Sequence, residues 1–149
     1  MIYFTRTGHT KQAVEDISKG LEKKGVEFDI LNVKDLKIND IPFSEYDILV
    51  IGSPTHAAGP ARKITKFVKK LSAQHIENKR IGLVTCHAFF GGNQTLKRLE
   101  NLLKNLNPDT KTENIIVTAG VPASLWKGPN ASEKDVEKCI ELGEKLGNI

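Results

Sequence analysis

Two short stretches of this chain gather side chains that can do chemistry. The first, Thr5-Arg6-Thr7-Gly8-His9-Thr10, sets three hydroxyls at i, i+2 and i+5 around a glycine. It runs straight into a helical pattern in which Ala13, Val14, Ile17 and Leu21 recur. Unpaired amides at a helix start, a glycine that permits a tight turn and several hydroxyls together make an anion site, and the anion that fits best is a phosphate. Arg6 either adds charge to that site or points to solvent. A single capping threonine would satisfy the helix start, and three exceed that need. The second stretch, Cys86-His87, puts a thiol next to an imidazole within the loop Thr85-Cys86-His87-Ala88-Phe89-Phe90-Gly91-Gly92. A cysteine on a sharp strand-to-helix turn can serve as a nucleophile. Here Ala88, Phe89 and Phe90 intervene, and the pattern places the next helix only after Gly92.

These stretches must be positioned by a chain of 149 residues, the length of one ordinary domain, read as a single domain over 1–149. With 39% hydrophobic and 27% charged residues the composition is that of a folded globular protein. Cys86 and Cys139 form no CxxC pair and no metal-ligand spacing, which excludes a disulfide scaffold or zinc module and makes a cytoplasmic location the default. The longest fully apolar run, Ile48-Leu49-Val50-Ile51, is far too short to span a membrane, and polar residues follow Met1-Ile2-Tyr3-Phe4 too soon for a secretory signal.

Ile48 to Ile51, Ile81 to Val84 and Ile115 to Val117 are continuous apolar runs, the pattern of strands buried on both faces in a parallel sheet. Val26, Phe28 and Ile30 alternate with Glu27 and Asp29, which predicts a half-exposed strand at a sheet edge. Asn32 to Tyr46, with Pro42 inside it, reads as a loop with at most a short helix. Between the strands lie helical stripes: Ile64, Phe67, Val68 and Leu71 behind Pro60 in a first turn; Leu96, Leu99, Leu103 and Leu106; and Val136, Cys139, Ile140 and Leu146 behind a capping box at Ser132 to Asp135. The resulting fold class is α/β, a single doubly wound five-stranded parallel sheet. The first strand, Ile2-Tyr3-Phe4, has about four residues before its turn. That leaves two readings open: a chain whose natural start lies upstream, or simply a short strand.

In such a sheet ligands bind outside the carboxyl ends of the strands, which selects the loops after the first, third and fourth. Thr5-x-Thr7-Gly8-x-Thr10 resembles the flavodoxin phosphate loop. Gly52-Ser53-Pro54-Thr55-His56-Ala57-Ala58-Gly59-Pro60 resembles the family's loop on one face of the isoalloxazine ring, and Thr85 to Gly92 the loop on the other. The resemblance runs the length of the chain. It implies strand order 2-1-3-4-5, FMN as cofactor, Thr5, Arg6, Thr7, Gly8, His9 and Thr10 around its phosphate, Pro54, Thr55, His56 and Ala57 along one side, and Cys86, His87, Ala88, Phe89, Phe90, Gly91 and Gly92 along the other. One of Phe89 and Phe90 is expected to stack on the ring and its neighbour to be core. Trp126 reads as a core anchor, with a partner contact as the alternative.

The chain departs from the family in three ways. His56 stands where a bulky apolar residue is usual, and is expected to stack on the ring or face water. Ala57 stands where glycine is common; alanine costs roughly 1–2 kcal/mol in a left-handed conformation, so the one-electron-reduced flavin is expected to be less stabilised unless Gly59 takes over the backbone flip. The charge is +4 with a pI near 9.0, where the family is usually acidic. Arg62, Lys63, Lys66, Lys69 and Lys70 fall in one helix with no acid among residues 60–71, either as a solvated face or as a field that steers acidic redox partner proteins to the flavin edge.

The resemblance implies a non-catalytic electron carrier rather than an enzyme. The alternatives are an FMN-dependent NAD(P)H/quinone-type reductase, a flavodoxin-fold cysteine-nucleophile hydrolase using Cys86, and a fold that has lost its cofactor. A phosphorelay receiver is excluded by Thr5 and Ser53, which stand where acids are needed. GxGxxG and GxxxxGK are absent, and no aromatic platform supports a nucleic-acid partner.

Overall fold

The computed structural model describes residues 1–106, 115–117, 121–122 and 131–148. In chain order these form β1 (Ile2–Tyr3), α1 (His9–Lys23), β2 (Leu31–Asn32), three 3-10 turns (Val33–Asp35, Ile38–Asp40, Phe43–Glu45), β3 (Ile48–His56), β4 (Gly59–Pro60), α2 (Arg62–Val68), α3 (Ala73–Ile76), β5 (Arg80–His87), α4 (Gly92–Leu106), β6 (Ile115–Val117), β7 (Val121–Pro122) and α5 (Glu133–Gly147). The parallel strands lie in the order β2-β1-β3-β5-β6, while β4 pairs back on β3 and β7 on the end of β5. With those two short strands set aside, this is the expected order 2-1-3-4-5.

The sheet separates two apolar layers because its side chains alternate. Leu49, Ile51, Ile81 and Leu83 face one side, where Ile64, Phe67 and Val68 of α2 and Leu96, Leu99 and Leu103 of α4 cover them. Val50 and Val84 face the other, under Val14, Ile17 and Leu21 of α1 and Cys139, Leu142 and Leu146 of α5. Ser132 caps α5 by accepting the Asp135 amide, as its position before the apolar stripe predicts. Helix α1 stops where Gly25 takes φ 70.

Several boundaries differ from expectation. Val26 to Ile30 is not assigned as strand; its inward–outward alternation persists, with Val26, Phe28 and Ile30 packed on the α1–α5 layer, but ladder pairing is confined to Leu31–Asn32 opposite Ile2–Tyr3. Just ahead of that pair, the Leu31 amide donates to the Met1 carbonyl at 2.8 Å. The Asn32 to Tyr46 loop is organised as three 3-10 turns that seat buried Ile41 and Phe43. Pro60 lies in β4 rather than in a first helical turn, because the antiparallel pairing Thr55↔Pro60 claims it. Helix α2 therefore starts after Ala61, whose carbonyl accepts its first intrahelical bond, from the Thr65 amide at 3.0 Å. Trp126 lies outside the described residues.

The α1–α5 contact is the tightest packing constraint in this layer. A Cβ on Gly20 would lie 2.0 Å from the Ile140 carbonyl oxygen, and one on Gly143 would lie 2.1 Å from that of Ile17. Both obstacles are backbone and cannot swing away. Gly20→Ala or Gly143→Ala should therefore destabilise the fold by about 1–3 kcal/mol through forced separation, outweighing the helix-propensity gain of about 1 kcal/mol. Urea unfolding measures this; an unchanged or raised midpoint would contradict the close contact.

Candidate functional site

Ladder pairing brings the three loop segments together. Tyr3 sits opposite Gly52 and Pro54 opposite Cys86, so the carboxyl ends of β1, β3 and β5 are neighbours and whatever follows each strand meets at one edge.

The first segment is shaped by its own threonines. Thr5 Oγ1 accepts the Gly8 amide at 2.9 Å, and Thr7 Oγ1 lies 2.5 Å from His9 Nδ1. Gly8 holds φ 92, a left-handed conformation that favours glycine, with open space where a Cβ would project. Thr10 is buried below the turn, its methyl 3.1 Å from where a Cβ on Gly52 would sit. Among the described residues Thr10 Oγ1 and His9 Nε2 are buried without a partner of hydrogen-bond geometry. Arg6 and Thr7 are exposed. Helix α1 carries no acidic residue in its first turn, which leaves its positive end free for an anion.

The second segment, expected as a loop from Gly52, is mostly strand. β3 continues through Ser53, Pro54, Thr55 and His56, and β4 returns after a two-residue turn at Ala57 (φ 47) and Ala58 (φ 58). Both alanines are thus already left-handed, and Gly59 is held in β4 opposite His56. Buried hydroxyls fix this hairpin. Ser53 Oγ accepts the Ala61 amide at 2.9 Å; Thr55 Oγ1 donates to Thr95 Oγ1 at 3.0 Å and lies 2.8 Å from Thr85 Oγ1. Ser53, Thr85 and Thr95 are positioning residues that patterning alone did not reveal; the only signal for them was polar side chains at strand and helix positions that otherwise read as interior. His56 is exposed at the hairpin end, and its pKa is lowered from the ordinary 6.5 by partial burial and then by the charge of Arg6, which ties the first segment to the second.

The third segment leaves β5 at Cys86 and His87 and turns back into α4 at Gly91, which holds φ 89. A Cβ on Gly91 would lie 2.8 Å from the Ala58 Cα, so this turn is seated on the hairpin tip. Phe89 and Phe90 are left at the outer end of the loop, 80% and 75% exposed. Neither is core, contrary to the expectation that one would be. His87 is half-buried, and among the described residues its Nδ1 is buried and unpartnered. Cys86 is buried, and burial pushes its thiol up to about 12. Burial thus works against the thiolate that a nucleophile requires, which counts against cysteine hydrolase chemistry.

Among the described residues no group of three or more His, Cys, Asp or Glu could hold a metal ion, and no helix is long and apolar enough to cross a membrane. A cavity of about 100 Å³ bordered by Met1, Phe28 and Tyr46 lies at the start of the strands, the opposite edge from the loops.

Against this geometry, a family profile described as "Flavodoxin domain" matches residues 1–121. The chain is 24% identical over 151 residues to a flavodoxin of Clostridium beijerinckii, covering 100% of this chain and 99% of the relative. It is similar to the solution structure of the two-electron reduced flavodoxin of Megasphaera elsdenii, with TM-score 0.74 and 18% identity over 100% of both chains. It also resembles part of the flavodiiron protein of Giardia intestinalis, with TM-score 0.72 and 14% identity, covering 98% of this chain and 34% of that one.

Burial raises both thiols, Cys86 and Cys139, from 9.0 to about 12. The unfolded chain therefore ionises them first, so the stability they contribute is complete below pH 9 and is lost as pH rises from there towards 12. Denaturation midpoints should fall above pH 9, less so in a Cys139→Ser variant relative to its own neutral-pH midpoint. Iodoacetamide should label Cys86 only under unfolding conditions; rapid native labelling would contradict its burial.

Proposed function

The chain belongs to the flavodoxin family, whose members bind FMN, and from that premise we propose that it is an FMN electron carrier that exchanges electrons with redox partner proteins. The observation that carries this reading is the set of buried polar atoms at the carboxyl edge that lack a well-formed hydrogen bond among the described residues: His9 Nε2, His87 Nδ1 and Thr10 Oγ1, the last with only the Cys86 thiol beside it. An unpaired buried polar atom costs about 1–3 kcal/mol, and a bound polar ligand removes that cost.

The residues present fit FMN. Thr7 and Thr10 would offer hydroxyls, and the first amides of α1 their N–H groups, to the phosphate, with Gly8 supplying the turn. Thr5 acts one step back, holding the Gly8 amide and with it the shape of the loop. Arg6 would add charge from the exposed side. Pro54, Thr55, His56 and Ala57 would border the ring on the hairpin side. Cys86, His87, Ala88, Phe89, Phe90, Gly91 and Gly92 would border it on the other, with the buried thiol a small apolar neighbour. FMN supplies the redox chemistry when bound; the chain orients it and sets the charge around it. No acid, base or nucleophile is required of the protein. The basic side chains of α2 and the turn after it (Arg62, Lys63, Lys66, Lys69 and Lys70) are all exposed, which supports partners of acidic surface.

Titration of the chain with FMN, followed by quenching of flavin fluorescence and run beside riboflavin, tests the reading. FMN should bind far more tightly than riboflavin, and Thr10→Val should weaken FMN by about 10- to 100-fold, the loss of one hydrogen bond to a charged group, while leaving riboflavin unchanged. Absence of binding by either flavin would end the electron-carrier reading. Partner charge is read separately. Electron delivery from the reduced holoprotein to a small acidic iron–sulfur protein should slow as salt rises, and Gln at the five basic positions should flatten that dependence. An unchanged salt slope would remove the steering role.

A further inference from the structure

A groove of about 550 Å³ runs between α2 and the 3-10 segment from Val33 to Asp40. Lys63, Lys66 and Lys70 stand along one wall, and Lys34 and Lys37 along the other. The first three repeat at i, i+3 and i+7, which aligns them on one stripe of α2 and the turn beyond it. None of the five takes part in the ion pairs found among the described residues. The exposed acids of the same segment, Asp35 and Asp40, do not line the groove.

The floor is apolar. Leu36 and Ile38 are half-buried against the core, and Phe67 closes the groove from below at 5% exposure. At one end the two walls converge over a single ring: Lys34 Nζ lies 5.4 Å and Lys63 Nζ 5.8 Å from the centroid of Phe4. Phe4 immediately precedes Thr5, so the groove ends beside the phosphate loop.

An ordinary solvated face mixes both signs of charge. This one sets single-sign walls over an apolar floor, a combination that complements a segment with carboxylates along its flanks and apolar side chains between them. A nucleic acid would find phosphate contacts here but no ring to stack on, because Phe4 and Phe67 are both buried.

We propose that this groove docks an acidic amphipathic segment of the protein with which the chain exchanges electrons, carboxylates on the lysine walls and apolar side chains on the Leu36–Ile38 floor. The partner's being a redox protein rests on the electron-carrier reading; the groove's preference for an acidic segment does not.

The test uses the full chain, with and without FMN, and a synthetic 14-residue helical peptide of Glu flanks and Leu centre. Its controls are the same peptide with Lys for Glu and an eight-nucleotide oligothymidylate. Amide shifts in a nitrogen–proton NMR titration should be confined to residues 33–39 and 62–70, appear only with the acidic peptide, and be the same with and without FMN. Lys63→Glu with Lys66→Glu should weaken the peptide at least tenfold, and so should Lys34→Glu with Lys37→Glu on the opposite wall. No binding, shifts elsewhere, either double variant binding the peptide as tightly as the unaltered chain, or oligothymidylate binding as tight as the acidic peptide would each overturn the proposal. FMN binding is measured in the same samples, so failure of the flavin reading shows there and not in the peptide shifts.

Discussion

The site depends on how closely α1 can lie against its neighbours. Helix α1 starts at His9, two strand residues and a turn after the chain begins its sheet, and its positive end must reach the carboxyl edge for the threonine loop to be of use. Two bare backbones make this possible at the α5 side, where Gly20 and Gly143 leave no room for a methyl group. At the sheet side Gly52 does the same, since a Cβ there would lie 2.9 Å from Val14 Cγ2. Were α1 pushed outward, Thr10 would lift from β3 and the loop above it would lose its floor. Packing precision on one face of the sheet is therefore what places the threonine loop and the start of α1 at its edge.

Charge is distributed to match. α1 presents no acid in its first turn, and lysines gather on α2 and the 3-10 segment beside the same loop. Acids pair elsewhere: Glu144 of α5 meets Lys23 at 2.8 Å, and Glu100 of α4 meets Lys104 at 2.6 Å. Among the described residues, the unpaired lysines beside the threonine loop thus come from several elements.

Much of this was legible from the sequence because burial on both faces writes itself as unbroken apolar runs. Ile48 to Ile51 and Ile81 to Val84 mark the central strands, and the stripes of α1, α4 and α5 follow the helical period. What patterning missed was set by pairing rather than by hydrophobicity. β3 runs on through Ser53 and Pro54 because β5 offers Thr85 and Cys86 opposite them, and through Thr55 and His56 because β4 returns against it; backbone ladders ignore side-chain polarity. The hairpin tip was hidden because Ala57-Ala58 is not a turn dipeptide. The Thr55–Thr85–Thr95 hydroxyl cluster and the second wall of the lysine groove join residues far apart in sequence, which no local window can bring together.

The tip itself has a further consequence. A glycine pair there would sample many backbone states; two alanines at φ 47 and φ 58, the second packed against Gly91, sample few. Strain on the order of 1–2 kcal/mol per alanine is stored in the folded chain rather than released. The hairpin at the carboxyl edge is thus a stiff wall with little conformational entropy to lose when something settles against it. With FMN held against it as proposed, a wall that does not rearrange would also contribute little to the reorganisation energy of an electron arriving or leaving there.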